Sequence, residues 1–108
     1  MVVDRRGSPR TSVDCHVQLI TATATWAARL TTISRVGALM RLEHGFPVGT
    51  PLHLVLGDPA FDGVLELRGQ VVRTHASEDG VDVAVMFAPL SPLVFEMVDS
   101  LITSCRLQ

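Results

Sequence analysis

The sequence predicts a mainly β fold, a six-stranded antiparallel β-barrel followed by one C-terminal α-helix. Three observations carry the prediction. Apolar residues alternate with polar ones at a period of two through six short stretches, the pattern of strands with one buried face. Gly, Pro and Asp clusters separate those stretches. The C-terminal stretch then switches to the period of a helix. Short strands joined by tight turns, with a single helix last, suit a small closed sheet.

In the first strand Cys15, Val17 and Leu19 alternate with His16 and Gln18. In the second, Trp26, Ala28 and Leu30 alternate with Ala27 and Arg29, which assigns Trp26 to the core, with a rim position as the alternative. The Thr/Ala run between them is a hairpin connection. After a turn at Ser34 to Gly37, Ala38 to Leu42 forms the third strand. Leu52, Leu54 and Leu56 make one face of a fourth, bounded by the breakers Pro47-Val-Gly-Thr-Pro51 and Gly57-Asp-Pro59. Gly63 to Thr74 is the longest strand. There Leu65, Leu67 and Val71 face one way and Glu66, Arg68 and Gln70 the other, and Gly69 with the adjacent Val71-Val72 pair signals a bulge or bend. Glu78-Asp79-Gly80 turns the chain into a sixth strand carrying Val81, Val83, Val85 and Phe87 on one face.

Pro89 stops that strand, and Ser91-Pro92 reads as an N-cap followed by proline at the first helical position. Leu93, Val94, Met97, Val98, Leu101, Ile102 and Cys105 then recur at helical spacing opposite Glu96, Ser100, Thr103 and Ser104. Such a stripe predicts a lid over one barrel opening. The 108 residues make a single domain, with an arginine-bearing arm over 1–12, the barrel over 13–89 and the helix over 91–106.

A net charge of -2 and a pI near 6.0 argue against a protein that holds long nucleic acid through its phosphates. One tryptophan and no tyrosine leave too few stacking platforms for a single-stranded nucleic-acid barrel. Positive charge is local: every basic residue is arginine, and Arg5, Arg6 and Arg10 gather at the start beside Asp4. No run approaches the ~20 apolar residues of a membrane span, and no charged start leads into a secretory apolar stretch, so no membrane insertion and a cytoplasmic location are expected. Cys15 and Cys105, and His16, His44, His53 and His75, lack metal-ligand spacing, and both thiols read as buried or idle. No GxSxG turn, HExxH pair, Cys–His arrangement or P-loop is present, which points away from an enzyme and from a cofactor.

Two short motifs carry the functional signal. Arg6-Gly-Ser-Pro-Arg10 puts two planar guanidinium forks four residues apart, directly ahead of the first strand, with Arg5 beside them and Gly7 and Pro9 to turn the backbone. Thr32-Ile-Ser-Arg-Val-Gly37 supplies small hydroxyls and a glycine after the second strand. There Ser34 and Gly37 also suit a plain tight turn, and Arg35 reads as a solvated turn residue, with a further phosphate contact as the alternative. Together, with six strands and a terminal helix in this order, the motifs resemble the RxxxR arm and (D/N)xSxxG loop of the PilZ family over nearly the full chain.

The resemblance implies a receptor or adaptor for cyclic di-GMP in bacterial second-messenger signalling. It assigns Arg6 and Arg10, helped by Arg5, to phosphates and guanine edges. Ser34, Gly37 and, more weakly, Thr32 would receive a base on the barrel face, and Arg73, near the end of the long strand, would stack on it. Closure of the arm over the ligand then creates a surface for an unidentified effector protein. Thr32 departs from the family pattern of Asp or Asn, offering one hydroxyl oxygen where a carboxylate offers two. A lost charge-assisted hydrogen bond costs about 1.5–3 kcal/mol, or about tenfold to over a hundredfold in affinity. A divergent adaptor that works through protein contacts without the nucleotide is the alternative reading.

Overall fold

The computed structural model describes residues 11–58 and 63–105, and among them six strands and one helix follow in the predicted order. The strands are β1 (Thr11–Ile20), β2 (Thr25–Ile33), β3 (Gly37–Leu42), β4 (Pro51–Asp58), β5 (Gly63–Ser77) and β6 (Gly80–Phe87), and the helix is α1 (Pro92–Cys105). All neighbouring pairs are antiparallel, and the sheet closes as a barrel in the order β1-β2-β3-β6-β5-β4. The closing seam is short, Gln18, Leu19 and Ile20 of β1 against Val55, Leu54 and His53 of β4.

The period-two pattern has its physical cause in the barrel wall. Val17, Leu19, Ala28, Leu30, Met40, Leu42, Leu52, Leu54, Leu56, Leu65, Leu67, Val83, Val85 and Phe87 all point inward and are buried. Their outward neighbours His16, Gln18, Arg29, Glu66 and Arg68 are exposed. At the β1–β2 hairpin the Thr21 hydroxyl accepts from the amide of Ala24 at 3.3 Å, and the Thr21 amide donates to the Ala24 carbonyl at 2.9 Å. Gly80 opens β6 at φ +140°, a conformation that only glycine adopts without strain. β5 runs on past Thr74 to Ser77 because β6 pairs with it down to Gly80.

Ser91 caps α1 as its sequence predicts: its hydroxyl accepts from the Val94 amide at 3.3 Å, with Pro92 at the first helical position. Val98 is fully buried in the barrel core, and Val94 and Met97 pack against that core. The helix packs on β1, whose pairing with β4 among the described residues runs through Gln18, Leu19 and Ile20. Leu93 does not join this face. It is 66% exposed, although Val94 beside it in the first turn packs against the core. The side chains of Leu101, Ile102 and Cys105, assigned to the same stripe, fall outside what is described.

Trp26 takes the rim position that the sequence left as its alternative. It is half-buried near the start of β2, stacked on His44 at 4.8 Å between centroids and edge-on to Phe46 at 5.6 Å. Lying one residue from the end of its strand, it packs against the core from the barrel mouth rather than within it. Cys15 is likewise half-buried against the core.

Candidate functional site

A single extra residue in β2 and another in β5 decide what the barrel shows to solvent. In β2 Leu30 pairs with Met40 and Thr32 with Leu39, so Thr31 is bulged out of the register, and its hydroxyl donates to the Leu39 carbonyl at 3.0 Å. Before the bulge the even-numbered residues Ala28 and Leu30 point inward; after it Ile33 does. The phase of the strand has inverted, and Thr32 is turned outward. In β5 Leu65, Leu67 and Val71 point inward, then Val71 pairs with Val85 and Arg73 with Ala84, leaving Val72 as the extra residue. Without it Arg73 would continue the inward series. With it Arg73 is exposed on the outer wall.

Both bulges deliver their residues to the same row. Across β2, β3, β6 and β5, Thr32 pairs with Leu39, Leu39 with Ala84 and Ala84 with Arg73. Three strand spacings separate the ends of this row by roughly 14 Å. Between them Leu39 and Ala84 form an apolar floor, continued on one side by the exposed Val36, Val72 and Met86. Thr32, Ser34 and Gly37 line a shallow concavity of about 90 Å³ with Val72 and Met86, while Arg73 lines the adjoining one with Leu39, Thr74, His75 and Asp82. Leu39 belongs to both.

The residues of the turn have separable roles. Ser34 is 3% exposed, and its hydroxyl accepts from the amides of Val36 at 3.2 Å and Gly37 at 3.3 Å. It therefore holds the turn closed, as Ser and Thr hydroxyls do in local turns. The Ser34 amide donates to the Gly37 carbonyl at 2.9 Å. At Gly37 a side chain would run into the Val85 carbonyl of β6, so glycine is required for β3 and β6 to approach here. The Thr32 hydroxyl, by contrast, has no hydrogen-bond partner among the described residues, and it is half-buried.

Charge is similarly divided. Arg29 is held by Asp14 at 2.6 and 2.8 Å, Arg35 by Asp99 at 3.0 and 2.9 Å, and Arg41 by Asp82 at 3.0 and 3.3 Å, each through both carboxylate oxygens. The hydrogen bond from Arg29 holds Asp14 below the usual carboxylate value, and Asp99 raises Arg35 still further above its own. Arg68 and Arg73 have no carboxylate partner among the described residues. Arg35 is exposed, as its place in the turn suggests, and it is also paired, with an acid that lies 64 positions away on α1. Arg5, Arg6 and Arg10 lie outside the described residues.

A larger concavity of about 740 Å³ lies elsewhere on the wall, lined by His16, Trp26, Arg29, Arg41, Glu43 and Asp79 among others. Its two arginines are already neutralised by Asp14 and Asp82, and Glu43 and Asp79 stand on its rim. An anion would be repelled there. Among the described residues no three His, Cys, Asp or Glu side chains gather as a metal site, and no helix is long and apolar enough to cross a membrane.

Comparison with known proteins follows the same lines. The model of the PilZ domain matches residues 4–104. Among solved structures, the Bacillus subtilis inhibitor of motility MotI/DgrA superposes with a TM-score of 0.75 at 18% identity, over 95% of this chain and 50% of that one. The PilZ domain of YcgR from Escherichia coli, solved with c-di-GMP, gives 0.73 at 21% identity over 94% and 92%. The K. pneumonia MrkH–c-di-GMP complex gives 0.72 at 13% identity over 94% and 52%. The chain thus spans about half the length of MotI/DgrA and MrkH, and nearly all of the YcgR domain. No curated protein matches it.

Proposed function

The chain belongs to the PilZ domain family, and from that premise we propose that it is a cyclic di-GMP receptor whose base site is the outer row from Thr32 to Arg73. PilZ domains act as receptors or adaptors. The observation that carries the reading is the alignment of two polar groups that have no hydrogen-bond or carboxylate partner among the described residues, the Thr32 hydroxyl and the Arg73 guanidinium, across the apolar floor of Leu39 and Ala84. A purine needs both kinds of surface: a flat apolar floor or guanidinium plane for its face and polar atoms for its edge. Arg5, Arg6 and Arg10 complete the reading as the cations that neutralise the two phosphates. The YcgR and MrkH structures, both with c-di-GMP, support it.

In this mechanism the turn is a scaffold. Ser34 and Gly37 fix the loop and keep β3 against β6, and Thr32 and Arg73 meet the ligand. Closure of the arm over the bound dinucleotide then presents a changed surface to an effector protein, by no more than the ligand's preference for the closed state. A second reading, a nucleotide-independent adaptor, rests on Thr32 in the place of the family's Asp or Asn.

Isothermal titration of the full chain with cyclic di-GMP, with GTP as the control, separates the two. Saturable binding selective for the dinucleotide, weakened at least tenfold by Arg10→Ala and by Arg73→Ala, is the expected result. Absence of heat and of any shift in melting temperature at high micromolar ligand would leave the adaptor reading.

A further inference from the structure

Resting on the receptor reading, we propose that Arg35 is a positioning residue that couples occupancy of the loop from Ser34 to Gly37 to the docking of α1. Beyond the β3–β6 ladder that begins at Gly37, two contacts among the described residues tether the loop. One is backbone: the Phe87 amide at the end of β6 donates to the Val36 carbonyl at 2.8 Å. The other is Arg35, whose Nε and Nη2 reach Asp99 Oδ1 and Oδ2 at 3.0 and 2.9 Å while its guanidinium sits 5.5 Å from the centroid of the Phe95 ring. Phe95 and Asp99 are four residues apart and share one face of the helix, so the fork lies along α1 and grips a full turn of it.

The coupling follows from adjacency. Arg35 is bonded to Ser34, whose hydroxyl shapes the turn beside Thr32. A helix that moves away takes Asp99 with it and removes one restraint on the loop, leaving the Phe87 amide and the bonds within the turn to hold Ser34. A docked helix keeps the loop in the binding geometry, and by reciprocity a ligand that requires that geometry holds the helix down. Arg35 has its fork on the carboxylate, so it acts through the loop rather than on the ligand. The pair is about half exposed, 52% for Arg35 and 45% for Asp99, which limits its size.

The test combines binding with amide exchange. Arg35→Met and Asp99→Asn should each weaken cyclic di-GMP about two- to fivefold, the scale of an exposed ion pair. The double variant should be no worse than either, and the exchanged pair Arg35→Asp with Asp99→Arg should recover most of the affinity. Ligand should slow exchange of the α1 amides in the wild-type protein and do so much less in the single variants. A tenfold loss in Arg35→Met with Asp99→Asn unchanged would make Arg35 a direct contact and overturn the proposal. Equal affinities throughout would do so as well. If the wild-type protein binds no dinucleotide, the coupling falls with the receptor reading, and the latch is scored alone: faster α1 exchange in both single variants, not additive in the double, retains it, and unchanged exchange removes it.

Discussion

Thr32, at the end of β2, and Ser34, in the turn that follows, are two small hydroxyl residues to which the structure gives opposite duties. Ser34 spends its oxygen on the amides of Val36 and Gly37, whereas Thr32 keeps its hydroxyl outward and uncommitted among the described residues. At position 32 a carboxylate would present two acceptor oxygens to the N–H edge of guanine in place of one. Thr32→Asp is therefore expected to raise affinity for cyclic di-GMP by about tenfold or more, the worth of one added charge-assisted hydrogen bond. Calorimetry on the two proteins decides it. An affinity unchanged by the substitution means that the base does not sit beside β2. Family membership was legible from the Arg6/Arg10 arm, the Ser34/Gly37 spacing and the order of the elements, with Thr32 as the departure, but the division of labour between the two hydroxyls was not, because it depends on which way the chain has turned by residue 32.

Among the strands, the bulges at Thr31 and Val72 set that direction, and one residue each inverts the inside-to-outside phase of β2 and β5. Deleting Val72 removes the inversion. Arg73 would then fall inward among Leu67, Val71 and Val85, where an unpaired guanidinium costs several kcal/mol. The deletion should unfold the protein or lower its denaturation midpoint severely, whereas Val72→Thr, which keeps the residue count at a 40% exposed position, should change stability by less than about 0.5 kcal/mol. Equal stability of the two variants would show that β5 can reassign its bulge. The β1–β2 pair makes a separate prediction through Asp14. Its pKa is lowered by the hydrogen bond from Arg29, so the pair's contribution is present above the unfolded-state value and is lost as pH falls through the folded one. Asp14→Asn should lower the melting temperature slightly at neutral pH and flatten its fall on acidification below about pH 4. The difference should shrink in high salt. Identical acid limbs for the two proteins would mean that the pair contributes nothing.

For the molecule as a whole, the parts written in local sequence were the readable ones: six alternating strands, the turn residues between them, the Ser91-Pro92 cap and the helical stripe. Alternation shows that Leu65, Leu67 and Val71 share a face, but an extra residue is defined only against a partner strand, so Val72 looked like one of several places for a bend. Arg35 and Asp99 are 64 residues apart, and nothing local at Arg35 announces its acid. The stripe did announce that α1 completes the core. Val98 is fully buried within the cluster that joins Leu19, Leu54 and Leu56 to β6, so the core includes the helix as well as the closed sheet. Val98→Ala should then remove about 2 kcal/mol through lost contact and an incompletely filled cavity. In a domain of this size that corresponds to a fall in melting temperature on the order of 10 °C. Leu93→Ala, at an exposed position on the same helix, should shift it by a small fraction of that. If both substitutions prove equally mild, the barrel is stable without α1. The helix would then be a peripheral element whose docking is held chiefly by the Arg35 fork, and the loop and the helix would separate at little cost to the fold.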